Sequence, residues 1–137
     1  MLETIDVDYP HPYPARISEF TQPFWDALAE GRFVTTRSLS TARLTFPPKP
    51  ISPDDWSTEM EWVDLSGSGT LYSHTTIHAS PTAFMSELPY KVCIVDLDEG
   101  LRMATRFLGD LAPRIGMRVE LVVVRHTDRM SYAARPI

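Results

Sequence analysis

His74 and His78, Cys93, and the acidic group Asp96, Asp98 and Glu99 are the side chains with conspicuous chemistry in this chain. Two imidazoles can share a metal. On a strand, however, residues four apart share a face yet sit about 13 Å from each other, at roughly 3.3 Å per residue, so one ion cannot bridge His74 and His78. They read as polar strand residues facing solvent or a groove. Cys93 lies between Val92 and Ile94 in the most apolar stretch. A nucleophilic thiolate needs a base and an electropositive setting; neither is local to Cys93, which reads as a small buried hydrophobe. Paired carboxylates can move protons or hold a hard cation. Asp98-Glu99-Gly100 has the composition of a hairpin turn, and solvated charge is its expected role. No Gly-rich phosphate loop, Ser/His/Asp signature or dinucleotide fingerprint is present. That leaves the aromatic residues Trp62, Tyr72, Phe84 and Tyr90 as candidates for binding rather than bond-breaking.

Composition narrows the classes further. The 137 residues suit one domain with room for a small appendage, and 43% hydrophobic with 23% charged residues is ordinary for a globular protein. Nucleic-acid binders draw most of their affinity from Lys and Arg on phosphates. Thirteen basic against eighteen acidic residues, a net charge of -5 and no basic run argue against DNA or RNA as partner. No apolar run approaches the ~20 residues of a membrane helix. The acidic start Met1-Leu2-Glu3-Thr4-Ile5-Asp6 lacks a signal-peptide layout. The single cysteine, Cys93, has no intrachain disulfide partner, so a cytoplasmic location is expected.

The elements that must position these residues are mostly strands. Pro10, Pro12 and Pro14 between Tyr9, His11 and Tyr13 favour an extended arm over residues 1–16, able to lie along a partner or across its own domain. Residues 21–30 read as a helix, with Thr21 as N-cap, Pro23 in the first turn, Gly31 as the stop, and Phe24, Trp25 and Leu28 on one side. Strands are expected at 33–36, 60–65, 70–78, 90–97, 101–108 and 118–125, the last of these ending the fold. A proline-rich irregular segment covers 38–55, Gly67-Ser68-Gly69 allows a bend, and residues 80–89 form a loop presenting Phe84 and Met85. About five strands joined by short hairpins after a glycine kink predict a mainly β protein with a closed OB-type barrel.

Several pieces in this order resemble one family. They are Phe24-Trp25 with Glu30-Gly31-Arg32; Phe46-Pro47-Pro48-Lys49-Pro50; Glu61-Trp62 with Ser66-Gly67-Ser68-Gly69-Thr70-Leu71-Tyr72-Ser73; Leu88-Pro89-Tyr90-Lys91-Val92; Val95-Asp96-Leu97-Asp98-Glu99-Gly100-Leu101-Arg102; and Ile115-Gly116-Met117-Arg118-Val119. The chain is similar over roughly residues 20–125 to the domain-of-unknown-function family thirty-five. In that family an N-terminal helix and a rubredoxin-like zinc ribbon precede an OB-fold, and members are linked to acyl-CoA and thiolase-like enzymes. The resemblance divides the chain into an arm and helix (1–31), a ribbon (32–59), a barrel (60–126) and a C-terminal tail (127–137).

The family's ribbon carries two Cys-x-x-Cys pairs. Ser38 and Thr41, then Ser52 and Asp55, stand at those positions here. Structural zinc wants four thiolate or imidazole ligands, so a degenerate, metal-free ribbon is expected. The resemblance further implies a non-catalytic subunit that docks on a thiolase-like, aldolase or hydratase enzyme and helps form its acyl-CoA channel. No cofactor would be bound tightly, and CoA or acyl-CoA would be shared with the partner. Tyr72, Tyr90, Lys91 and Arg102 are the residues it offers for acyl-CoA. A free-standing acyl-CoA-binding protein, hydrolase or transferase is the alternative, and a single-strand nucleic-acid binder a more distant one.

Overall fold

A computed structural model describes residues 1–137. Nine strands, one α-helix and one 3-10 helix form two sheets around a shared core. The barrel consists of β5 (Ser68–Ile77), β6 (Tyr90–Leu97), β7 (Arg102–Phe107), β8 (Arg118–Arg125) and β9 (Met130–Pro136). Antiparallel pairing runs β8–β5–β6–β7. β9 then closes the circuit, parallel to β7 and antiparallel to β8. This is the five-stranded OB arrangement, and closure leaves it no open edge.

Strand alternation builds its interior: Cys93, Val95 and Leu97 of β6 point inward against Val119, Leu121 and Val123 of β8, all buried. β5 can cross both halves of the barrel because of Gly69 and a bulge at Tyr72. A Cβ at Gly69 would lie 2.5 Å from the Asp96 carbonyl oxygen, so β5 and β6 approach there at a distance only glycine allows.

The barrel's bounds differ from the sequence expectation at both ends. Met60–Leu65 (β4) pairs with Phe33–Ser38 (β2) and not with the barrel; with the two-residue β3 (Leu44–Thr45) they form a separate three-stranded ribbon sheet. The expected tail at 127–137 supplies β9. Its Ala133 and Ala134 are weak strand formers, but their small side chains fit the crowded seam between β7 and β8, where both are buried.

The helix α1 runs Gln22–Ala29. Thr21 precedes it without a side-chain cap bond. Its hydroxyl instead accepts from the Ser18 amide at 2.9 Å, while the Thr21 amide donates to the Ser18 hydroxyl at 3.2 Å. Phe24 and Leu28 are buried. Phe24 packs edge-on against Phe33, Phe46 and Tyr132, with ring centroids 5.5, 5.8 and 5.9 Å away, and so joins helix, ribbon and barrel in one aromatic cluster.

The arm lies across its own domain. β1 (Thr4–Asp6) adds in parallel to β8. The Val7 amide then donates to the Arg125 carbonyl, the Thr127 amide to the Tyr9 carbonyl, and the His11 amide to Asp128 at 3.0 Å. Arg129 reaches the Ala15 carbonyl at 2.8 Å. No helix of the chain is long and apolar enough to cross a membrane.

Candidate functional site

The four residues offered for acyl-CoA fall into two separate groups on the barrel. Tyr72, at the β5 bulge, carries the Arg102 guanidinium 3.6 Å above its ring centre. Arg102 in turn grips Asp96, its cross-strand partner, at 2.6 and 3.1 Å. That hydrogen-bonded pairing first, with the Arg102 charge adding to it, holds the Asp96 carboxyl below its ordinary range. Tyr90 meets a different arginine: the Arg106 guanidinium lies 3.7 Å above its ring and 5.9 Å from that of Phe84, and is paired with Glu87 at 3.2 Å. Arg102 and Arg106 are four apart on β7, so the two stacks share a face and stand about 13 Å from each other. Lys91 does not join Tyr90, because successive strand residues point to opposite faces.

A cleft lies beside the second stack. The arm (Tyr9, His11, Pro12), the 3-10 helix Thr82–Glu87 and strands β7 to β9 enclose a cavity of about 230 Å³. His126 is its buried polar wall: Nε2 pairs with the Ser131 hydroxyl at 3.0 Å, and Nδ1 has no protein partner. His11 stacks edge-on to His126 at 4.9 Å. Burial first, and then the neighbouring His126, push the His11 pKa below its ordinary value. Sequence reading missed Arg106, Glu87, His126 and Ser131. For Arg106 a signal existed, since it sits on the same strand face as Arg102. The other three come from separate loops and strands that only the closed barrel brings together.

Bond-breaking chemistry finds little support in these groups. A Ser–His contact is the first element of a nucleophilic centre, but the base must be oriented through its other nitrogen, and His126 Nδ1 meets no carboxylate. Cys93 is buried in the barrel, and burial pushes its thiol up to about 11. His74 and His78 join no metal-ligating cluster, and no group of three or more His, Cys, Asp or Glu side chains could hold an ion. The barrel face that carries Tyr72 and Tyr90 presents two cation–aromatic stacks and the cleft beside the second; Lys91 lies on the other face of β6.

The ribbon is the second exposed feature. Leu39 is 57% exposed, Ile51 41% and Trp56 82%, all in or beside its two tight turns. Ser38, Thr41, Ser52 and Asp55, the residues that the family resemblance offers in place of zinc ligands, are in these turns. Their donor set does not fit structural zinc. Ser38, Thr41 and Ser52 offer hydroxyls that stay protonated near neutrality, and Asp55 is already engaged by the Ser40 hydroxyl at 2.6 Å and the Ser57 amide at 3.1 Å.

Comparison with known proteins places this geometry. Residues 62–124 match the family described as ChsH2, C-terminal OB-fold domain. A DUF35 domain-containing scaffold protein of Methanocaldococcus jannaschii is 33% identical over 96 residues, which are 67% of this chain and 67% of that protein. A probable enoyl-CoA hydratase alpha subunit of Thermomonospora curvata is 38% identical over 103 residues, 72% of this chain. The chain spans only 31% of that subunit's length. Among solved structures, a chain of the Ltp2-ChsH2(DUF35) aldolase superposes with a TM-score of 0.75 at 30% identity, covering 90% of this chain and 98% of that one. With the barrel, the preceding helix and ribbon, and these matches together, the chain belongs to the DUF35 family.

Proposed function

We propose that this chain is a non-catalytic subunit that docks on an acyl-CoA enzyme of the hydratase, aldolase or thiolase-like kind and forms part of its substrate channel. The observation that carries the reading is the near-complete superposition on a chain of the Ltp2-ChsH2(DUF35) aldolase. The enoyl-CoA hydratase alpha subunit supports it from a second direction. On this reading the ribbon tip, with Trp56, Leu39 and Ile51 exposed, contributes to the docking surface. Large apolar side chains of this kind anchor protein interfaces.

The barrel face would then line the channel. Tyr72 and Tyr90 offer flat apolar surface to the acyl and pantetheine portions. Arg102 and Arg106 supply cations for the phosphates, and Lys91, on the other face of β6, stays outside this group. Phosphate would take over the arginines' hydrogen bonds to Asp96 and Glu87, a like-for-like exchange of anions. The test is the assembled complex with Arg102→Ala and Tyr90→Ala. KM for the acyl-CoA is expected to rise several-fold with kcat little changed; an unchanged KM in both variants would remove the barrel face from the channel.

The Ser131–His126 contact favours one second reading, a free-standing acyl-CoA hydrolase or transferase. The isolated chain turning over acyl-CoA, with Ser131→Ala abolishing the activity, would establish it in place of the docking role.

A further inference from the structure

We propose that the ribbon of this chain is closed by a hydrogen-bonded cross-link running from Ser38 through Ser40 to Asp55, in place of a metal. Two turns with the same backbone closure face each other; the serine hydroxyl takes the amide three residues on in the first and two residues on in the second. In the first, residues 38–42, the Thr41 amide donates to the Ser38 hydroxyl at 3.3 Å, the Ala42 amide to the Ser38 carbonyl at 2.9 Å, and Ala42 is left-handed at φ 61°. In the second, residues 52–56, the Asp54 amide donates to the Ser52 hydroxyl at 3.3 Å, the Trp56 amide to the Ser52 carbonyl at 3.0 Å, and Trp56 is left-handed at φ 62°. Ser38 and Ser52 are each 1% exposed, with their hydroxyls turned to these amides. Where a thiolate would collect amide N–H groups while binding an ion, a hydroxyl collects the same groups.

Between the turns the connection is polar and direct. Ser38 and Ser40 hydroxyls are 2.9 Å apart, and the Ser40 hydroxyl donates to Asp55 at 2.6 Å. Arg43 and Asp54 add an ion pair at 3.6 Å across the same gap. Ser40 is the informative residue, because it lies between the two positions that would be ligands in its turn, where a metal site makes no demand on the side chain. Left-handed Ala42 and Trp56 are strained conformations that persist only where surrounding contacts over-determine them. Each is held within its own turn by its amide bond to the Ser38 or Ser52 carbonyl, and the cross-link ties the two turns to each other.

Three measurements on the full chain test this. Protein purified without added metal is expected to contain no stoichiometric zinc and to melt at the same temperature with and without a chelator. Stoichiometric zinc, or a chelator-induced fall in the melting temperature, overturns the proposal. Ser40→Ala and Asp55→Ala are each expected to lower the melting temperature by about 3 °C, and Ser40→Ala is expected to cost much less in the Asp55→Ala background than alone. Additive losses, or no loss, overturn it. Finally, the turns are already in place for ligands, so the variant S38C/T41C/S52C/D55C is expected to bind one Co²⁺ with a tetrahedral thiolate spectrum. A folded variant without that spectrum overturns the claim that the two turns are held as a metal would hold them. Should that variant fail to fold, the chelator comparison and the single and double alanine variants still decide the matter.

Discussion

The barrel and the ribbon hold together by different physics. In the barrel, stability comes from a repeated pattern: alternating inward Val, Leu and Cys side chains on five strands that close on themselves, feeding one apolar core that also takes in Phe24 and Leu28 of the helix. In the ribbon, β3 is two residues long, and the buried groups are largely hydroxyls: Thr35, Thr36, Ser38, Thr45 and Ser52. Each has a specific partner; Thr36 pairs with Thr45 at 3.1 Å and receives the Lys49 amide at 2.9 Å. A patterned core tolerates local change while its volume is kept. A set of polar pairs is only as good as each contact. The ribbon is thus sensitive to the loss of any single polar partner, while the barrel draws on many apolar contacts at once.

The largest effect should come from the barrel. Leu121→Ala removes a fully buried side chain and is expected to cost about 3 kcal/mol, read by denaturant unfolding of the whole chain. A loss under about 1 kcal/mol would mean that the core is not the barrel's main support. Gly69→Ala forces a methyl group onto the Asp96 carbonyl and is expected to cost about 2 kcal/mol by the same measurement, although it adds apolar surface. Trp56→Ala sharpens the contrast. Its side chain is outside the core, so stability should stay within about 0.5 kcal/mol of wild type, while affinity for the partner enzyme falls at least tenfold. Ala42→Gly relieves a left-handed alanine and should stabilise the ribbon by about 0.5 kcal/mol; destabilisation would show that the turn is not strained.

The smallest effect concerns the arm. The folded pKa of His11 lies below its unfolded value near 6.5, so the arm's docking is fully present above pH 6.5 and weakens as pH falls through that value, when the unfolded state takes up the proton first. His126 and Arg129 oppose charging of His11, while Asp128 and Glu87 favour it. The protection factors of the Val7 and Thr127 amides, taken against the intrinsic exchange rate at each pH, should fall below pH 6.5 in wild type, and His11→Gln should remove the dependence.

The same difference in physics explains what could be read in advance. The barrel strands β6 and β8 carry short apolar, β-branched runs, and the helix has its proline, apolar stripe and terminal glycine; both are legible. β9 is not. Met130-Ser131-Tyr132-Ala133-Ala134 has no strand signature by itself, and its burial follows from the gap left by β7 and β8. β4 reads as a strand from its own residues, but its pairing with β2 and not with the barrel is a long-range choice that local pattern does not encode. On the barrel face, Tyr72 and Arg102 do meet, whereas Tyr90 finds Arg106, a partner fixed by register. The ribbon's hydroxyl network has no periodicity at all. Only the family resemblance points to Ser38, Thr41, Ser52 and Asp55, and nothing in the sequence points to Ser40.

The docking role is tested most directly by affinity purification of the tagged chain from its native host, with quantitative mass spectrometry of what accompanies it. The expected result is a stoichiometric acyl-CoA enzyme of the hydratase, aldolase or thiolase-fold kind, retained by wild type and reduced in Trp56→Ala. A chain recovered alone, as a monomer, from cells that express it at native level would contradict the account.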